Sequence, residues 1–313
     1  MQELHPGCRP PRYTRHHGIA VATYVIIDSS QRIGFHRRLE DRGIEYRSLF
    51  DGHAEQKHPE IAPLLFEWAE LPDRSGVKRV QDDILNLAKE RPAVSFIESD
   101  SSLGEIAGHF RRFHLVKLPS GREMLLRWYD TRILPVWIHA MNEAQRATFT
   151  NGIHNWSAYD RYGDIIRLSC DPDAKLPALT PFELDPLQYD MLLAACSADV
   201  MLAHLRQVAP DQLRRIDLRV LYPFVDVHLQ QAKAHGLDNL DDQAHYLLLA
   251  LFTSGAFRDH PHVQDRLGRH ASEHVESFAD WAMDVPDDVY ASGETLWHRE
   301  SFPRDAAIEG ETQ

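Results

Sequence analysis

The most explicit chemical pattern in this 313-residue chain is a pair of histidines with a glutamate between them. His270 and His274 are four positions apart and Glu273 precedes the second, which is the H-x-x-E-H spacing of one class of zinc peptidase. On a helix both imidazoles would lie on one face and bind zinc, with Glu273 as general base. A catalytic zinc needs a third protein ligand, and the 39 residues after His274 offer only an unpatterned acidic tail. The zinc peptidase therefore stays an alternative.

Other catalytic patterns are missing from the sequence. No glycine-rich phosphate loop, dinucleotide fingerprint or G-x-S-x-G elbow follows a predicted strand. The three cysteines, Cys8, Cys170 and Cys196, are odd in number and widely spaced, so they predict neither a disulfide framework nor a metal site. The residues thus provide no complete catalytic constellation, and we expect no metal or cofactor.

Charge limits the classes of partner. The chain has 34 Lys and Arg against 47 Asp and Glu, giving a net charge of -13 and a pI near 5.8. Such a surface repels nucleic acid and anionic lipid, and no predicted signal peptide or membrane span is found, so we expect a cytoplasmic protein without membrane insertion. The imbalance is local, because residues 1–180 hold 24 of each sign while residues 181–313 hold 10 basic and 23 acidic residues.

The elements of the first half alternate between strands and helices. Asp28 closes the first strand, at the end where open sheets place functional residues, but its carboxylate could equally cap the following turn. Ser102 and Glu105 have capping-box spacing at the start of a helix. Period-2 and period-3.6 patterns predict strands over Ala20–Asp28, Glu45–Phe50, Leu64–Leu71 and Ala93–Glu98, helices over Gln31–Arg42, Gly76–Lys89 and Ile133–Met141, a hairpin of His114–Leu118 with Glu123–Tyr129, and a strand pair of Gly152–Tyr159 with Ile165–Cys170.

The second half contains helical patterns only. Asp185-Pro186-Leu187-Gln188 predicts a capped helix start, and Pro261–Met283 is predicted as one helix. The fold class is thus an α/β (α+β) N-terminal domain with a mixed sheet, followed by an all-α domain. The expected divisions are a mobile leader 1–17, the α/β domain 18–170, a proline-rich linker 171–184, the helical domain 185–290 and an acidic tail 291–313.

Two strings in the first domain resemble the domain shared by type VI secretion effector chaperones, also called adaptors. They are YRSLFDG over Tyr46–Gly52 and RRFHLVKLPSGREMLLRWYDTRIL over Arg111–Leu134, preceded by Tyr24, Ile27 and Asp28 in the first strand. Thr131 stands where that family has proline, and Leu87–Pro92 replaces its Trp/Gly-containing stretch.

The resemblance implies a non-enzymatic protein of the bacterial cytoplasm that binds a toxic effector and loads it onto the VgrG spike for delivery. Aromatic and arginine residues are the usual anchors of protein interfaces. The candidate partner-binding residues are Arg47, Phe50, Arg112, Arg127, Trp128, Tyr129, Asp130 and Arg132. Strand alternation predicts Arg127 and Tyr129 on one face and Trp128 on the other. An immunity protein that neutralises a toxin without contacting the spike is the second alternative.

Overall fold

A computed structural model describes residues 15–16, 19–68, 75–171, 182–269 and 275–298. Most of the predicted leader and linker, the acidic tail from residue 299, and the residues His270, Glu273 and His274 lie outside these ranges. The chain divides into two compact units, Met1–Ala195 and Cys196–Gln313. The proposed boundary at 171–184 remains a prediction.

The first unit is built on a six-stranded sheet. Its strand order is β10-β9-β6-β3-β5-β4, and each strand runs antiparallel to its neighbours. The strands of this unit are β1 Arg15–His16, β2 Ile19–Ala20, β3 Ala22–Asp28, β4 Tyr46–Ser48, β5 Pro63–Glu67, β6 Val94–Ser99, β7 Leu115–Lys117, β8 Glu123–Leu125, β9 Asn155–Tyr159 and β10 Ile165–Leu168. The predicted fold class is confirmed.

Strand β3 lies in the interior of this sheet because nearly all its residues are apolar or can be hydrogen-bonded when buried. Six of its seven residues are buried, as are all six of β6, so both faces of the central strands are covered. Val25 faces Phe96 on one side and Phe66 on the other. Asp28 is the last residue of β3, so its carboxylate lies at the end of a rigid central strand.

Five helices lie wholly within the described residues of the first unit. They are α1 Phe35–Glu40, α2 Ser75–Glu90, α3 Leu103–Arg111, α4 Leu134–Ala140 and α5 Glu143–Phe149. The predicted capping box begins α3, where the Ser102 hydroxyl accepts from Glu105 N–H and the Glu105 carboxylate accepts from Ser102 N–H. Helix α1 is shorter than the predicted Gln31–Arg42, because residues 29–31 form a separate 3-10 turn before it.

The predicted hairpin is formed by β7 and β8, and Gly121 in its turn has a φ of 80°, the left-handed conformation expected there. Strand β8 ends at Leu125, four residues earlier than predicted. Main-chain bonds from Lys117 N–H to Phe182 O and from Leu184 N–H to Lys117 O then attach a later segment to β7. The strand alternation expected for residues 127–129 is therefore wrong, because Arg127 lies beyond the end of β8 and residues 128–129 form a turn.

The second unit is helical in its described residues. Helix α6, Pro186–Val208, contains the division between the units, and the helices after it are α7 Pro210–Leu213, α8 Leu218–Ala234, α9 Leu240–Thr253, α10 Pro261–Leu267, α11 Phe278–Met283 and α12 Asp287–Tyr290. Helix α9 is the most buried, as its nearly continuous apolar run predicts. The single helix predicted over Pro261–Met283 is wrong, since α10 ends at Leu267 and α11 begins at Phe278.

Among the described residues, α6 alone is long and apolar enough to cross a membrane by length and composition. Of its most apolar 18-residue window, 28% is buried. One such helix is weak support for a membrane span, because core helices of soluble proteins have the same properties.

Candidate functional site

Three polar residues of the second string, Arg127, Asp130 and Arg132, meet Asp28 at the end of β3. Asp28 is fully buried, and its carboxylate accepts hydrogen bonds from Ser30 N–H at 3.1 Å and from the Ser30 hydroxyl at 2.7 Å. These bonds cap the 3-10 turn Ser29–Gln31, one of the two roles that the sequence left open. The same carboxylate also forms a long-range ion pair, so capping is only part of its role.

Arg127 supplies the positive charge that the buried carboxylate needs. Its guanidinium donates to Asp28 at 2.6 Å and to the Ser30 hydroxyl at 2.6 Å, and lies 3.9 Å from Asp130. Burial alone would lower the pKa of Arg127, but the attraction of Asp28 outweighs it and the pKa is raised. The side chain is still 41% exposed. The pair therefore joins residue 28 to residue 127 while one side of the guanidinium faces solvent.

The loop after Arg127 is fixed by a second ion pair. Arg132 donates to the two carboxylate oxygens of buried Asp130 at 2.9 and 2.5 Å, a bidentate geometry. Thr131, the residue that departs from the family pattern, donates its N–H to Pro92 O at 3.2 Å and its hydroxyl to Tyr159 O. A proline has no N–H and could not donate to Pro92, so in this chain threonine adds a tie between the loop and its neighbours.

The aromatic candidates are core residues. Phe50, Trp128 and Tyr129 are each at most 3% exposed. The Trp128 ring packs against Phe110 at 4.8 Å between ring centroids and against several other rings, and burial raises the pKa of the Tyr129 hydroxyl. In this conformation none of the three can be an interface anchor, because a partner cannot reach them.

Strand β4 is protected at its edge by an arginine from α3. The Arg111 guanidinium donates to Ser48 O at 3.1 and 2.8 Å and to the Asp51 carboxylate at 2.5 Å. Satisfying main-chain groups at a sheet edge in this way blocks pairing with another strand.

A histidine cluster lies beside this edge. His114 is buried against Phe50 and His53, with its Nε2 3.2 Å from the Glu55 carboxylate. Burial lowers the pKa of His114, although Glu55 opposes the shift. The pKa of Glu55 is lowered chiefly by its own main-chain hydrogen bond. The arrangement is a buried imidazole held by one carboxylate.

The remaining candidates, Arg47 and Arg112, are accessible. Arg47 is paired with exposed Glu45 at 2.6 Å, and Arg112 lies over the Phe113 ring with one nitrogen 2.9 Å from His109. Of the eight residues predicted to bind partners, the structure thus brings Arg127, Asp130 and Arg132 together, buries three and leaves these two apart.

No candidate metal site is found in the part of the chain that the structure describes. No group of three or more His, Cys, Asp or Glu there could hold a metal ion, and His270, Glu273 and His274 fall outside it. Sequence reasoning missed Ser30, Arg111 and His114 as members of these clusters. Their partners are 58 or more positions away in four of the bonds that define the clusters, so local spacing gave no signal.

Comparison with known proteins gives one match. Residues 23–148 match the model of a family described as Domain of unknown function (DUF4123). The match contains Asp28, Arg127, Asp130 and Arg132 and ends within α5. No curated protein and no solved structure matches the chain.

Proposed function

We propose that this protein is a type VI secretion effector adaptor of the bacterial cytoplasm, which binds a toxic effector and helps load it onto the VgrG spike without catalysing a reaction. The supporting observation is that the strings resembling this family fall within residues 23–148, which match one family model. Of the residues that carry this resemblance, Asp28, Arg127, Asp130 and Arg132 form one connected set of ion pairs.

Two surface properties are compatible with a bridging protein. The described part of the first unit lacks a catalytic cluster yet carries exposed arginines, and residues 181–313 carry all of the excess negative charge. An acidic surface favours encounter with a basic partner surface through electrostatic steering. We therefore assign the acidic helical region to one partner and the first unit to the other.

The test is reconstitution from defined components. The full chain is co-expressed with the toxin encoded beside its gene, inactivated by mutation, and with the neighbouring VgrG, each carrying a different tag. The expected result is a complex containing all three proteins, with less toxin on VgrG when the chain is omitted. Binding to the inactivated toxin without VgrG, together with protection of cells that express the active toxin, would instead identify an immunity protein. Binding to neither folded partner would refute the proposal.

Substitutions can distinguish residues that contact a partner from residues that are needed for folding. Arg47→Glu and Arg112→Glu alter exposed side chains and should leave the fold intact. Trp128→Ala removes a fully buried ring and should cost about 3–5 kcal/mol of unfolding free energy. Loss of binding with Trp128→Ala but with neither arginine variant would show that those two arginines are not contacts.

A further inference from the structure

A small apolar patch with basic neighbours lies beside the Asp28 turn, and nothing so far accounts for it. Ile33 is 73% exposed and Ile61 is 37% exposed. The chain brings them together, because Gly34 N–H donates to Glu60 O at 3.0 Å and thereby joins the residues adjacent to each isoleucine. We call the set Arg32, Ile33, Arg37, Lys57 and Ile61 the Ile33 patch.

The exposure of Ile33 is fixed by the local backbone. Gly34 has a φ of 77°, a conformation that favours glycine, and it begins α1 directly after Ile33. The next residue, Phe35, is buried and donates its N–H to Arg32 O at 3.2 Å. Ile33 is thus held outward between two anchored residues, and burying it against this unit would break these bonds.

The second isoleucine is held in the same way. Ile61 ends the 3-10 turn Pro59–Ile61, its N–H donates to His58 O at 3.3 Å, and the following Ala62 is fully buried. Ile33 and Ile61 are thus two exposed aliphatic residues on segments that a main-chain hydrogen bond joins. Exposed apolar residues that lie close together can mark a binding surface.

The charges around the patch are positive and unpaired. Arg32, Arg37 and Lys57 are exposed, and in the described ranges none of their side chains has an ion-pair partner. The nearby carboxylates are engaged elsewhere, since Glu60 lies 3.5 Å from His58 and Glu55 lies 3.2 Å from His114.

We propose that the Ile33 patch binds an acidic segment of a protein partner that carries an aliphatic or aromatic side chain. The apolar side chain would cover Ile33 and Ile61, while carboxylates pair with Arg32, Arg37 and Lys57. None of these three cations has to break an existing ion pair first. This assignment rests on the proposed function, because it gives the adaptor its contact surface on the first unit. The expected partner surface at this contact is acidic, although the whole chain carries a net charge of -13.

The experiment uses the full chain with the inactivated toxin and VgrG as separate, defined probes. Binding is measured for wild type, for Ile33→Ser, and for the double variant Arg37→Glu with Lys57→Glu. The matched controls are Ile165→Ser and Arg167→Glu on the edge strand β10, where Ile165 is 41% exposed. Circular dichroism and a thermal melt confirm that all five proteins are folded.

The expected result is about tenfold weaker binding to one of the two probes with each patch variant, and a weaker salt dependence with the double variant. The controls should bind as wild type does. If both patch variants bind both probes normally, the patch assignment is wrong while the adaptor proposal stands. If wild type binds neither probe, the proposed function fails first. A wild-type dimer that Ile33→Ser converts to a monomer would make the patch a self-interface and overturn the assignment.

Discussion

Replacing Arg127 by methionine should destabilise the first unit more than removing the charge of its partner does. The substitution keeps the aliphatic stem but takes away the cation 2.6 Å from the Asp28 carboxylate. Asp28 is fully buried, so its charge remains in the interior with only the Ser30 and Gln31 donors. Removing one partner of a buried pair costs about 3–5 kcal/mol.

The magnitude here is smaller because part of the site is solvated. Arg127 is 41% exposed and the Ser30 donors remain, which brings the expected cost of Arg127→Met to about 2–3 kcal/mol. Asp28→Asn should cost only about 1–2 kcal/mol, since the asparagine oxygen can still accept from Ser30 and the guanidinium keeps water and Asp130 as partners. The double variant should lose less than the sum of the two, because the first change already breaks the pair.

Urea unfolding followed by tryptophan fluorescence measures these differences, with comparisons limited to variants of equal m value. Four of the six tryptophans, Trp68, Trp128, Trp137 and Trp156, lie in the first unit. The control is Arg47→Met, which breaks an exposed pair with Glu45 and should cost at most about 1 kcal/mol. A cost for Arg127→Met no larger than that of the control, or smaller than that of Asp28→Asn, would refute the buried-charge reasoning.

Two further predictions concern stability. Burial lowers the pKa of His114 in the folded chain. On acidification the unfolded chain therefore binds a proton at this histidine first, near the ordinary pKa of about 6.5. The contribution of His114 to stability should be complete above that pH and should fall below it. Urea midpoints measured from about pH 8 down to about pH 5.5 should show this slope, with a shallower one in His114→Asn, and equal slopes in the two proteins would contradict it. Gly293→Ala should destabilise the second unit because the new Cβ would lie 2.2 Å from Thr253 O, whereas Gly104→Ala in α3 meets nothing within 4 Å and should stabilise by about 0.5–1 kcal/mol. Thermal melts that move both variants in the same direction would argue against this.

The strands and capped helices were predictable because their signals are local. The β3 segment is an apolar run, Ser102 and Glu105 are three positions apart, and Gly121 lies in a turn that requires it. Antiparallel pairing of β3 with β5 and β6 was not predictable, since strand order depends on contacts between distant segments. The helix α5 was missed because its seven residues, with a buried Gln145 and Thr148, lack a clear apolar stripe.

The candidate partner-binding residues were predicted by residue type, and their role in binding stays a prediction. Arginine, tryptophan and tyrosine are typical of interface anchors, but the same types also form buried ion pairs and aromatic cores. Trp128 and Tyr129 could not be assigned to either role before β8 was known to end at Leu125. The exposure of Ile33 was not predictable, because a single isoleucine near a glycine gives no pattern that distinguishes a buried side chain from an exposed one.

These outcomes change where partner specificity should be sought. The residues that carry the family resemblance include Asp28, Arg127 and Asp130, and their side chains hold β3 and the loop after β8 together. Residues committed to buried bonds are poor contacts for a partner, because breaking those bonds costs more than a surface contact returns. Under the proposed function, partner contacts should therefore be sought among exposed side chains, both Arg47 and Arg112 inside the strings and residues outside them. The turn beside Asp28, with Ile33 held outward by Gly34, is a position where the scaffold fixes the backbone and leaves the side chain free to bind.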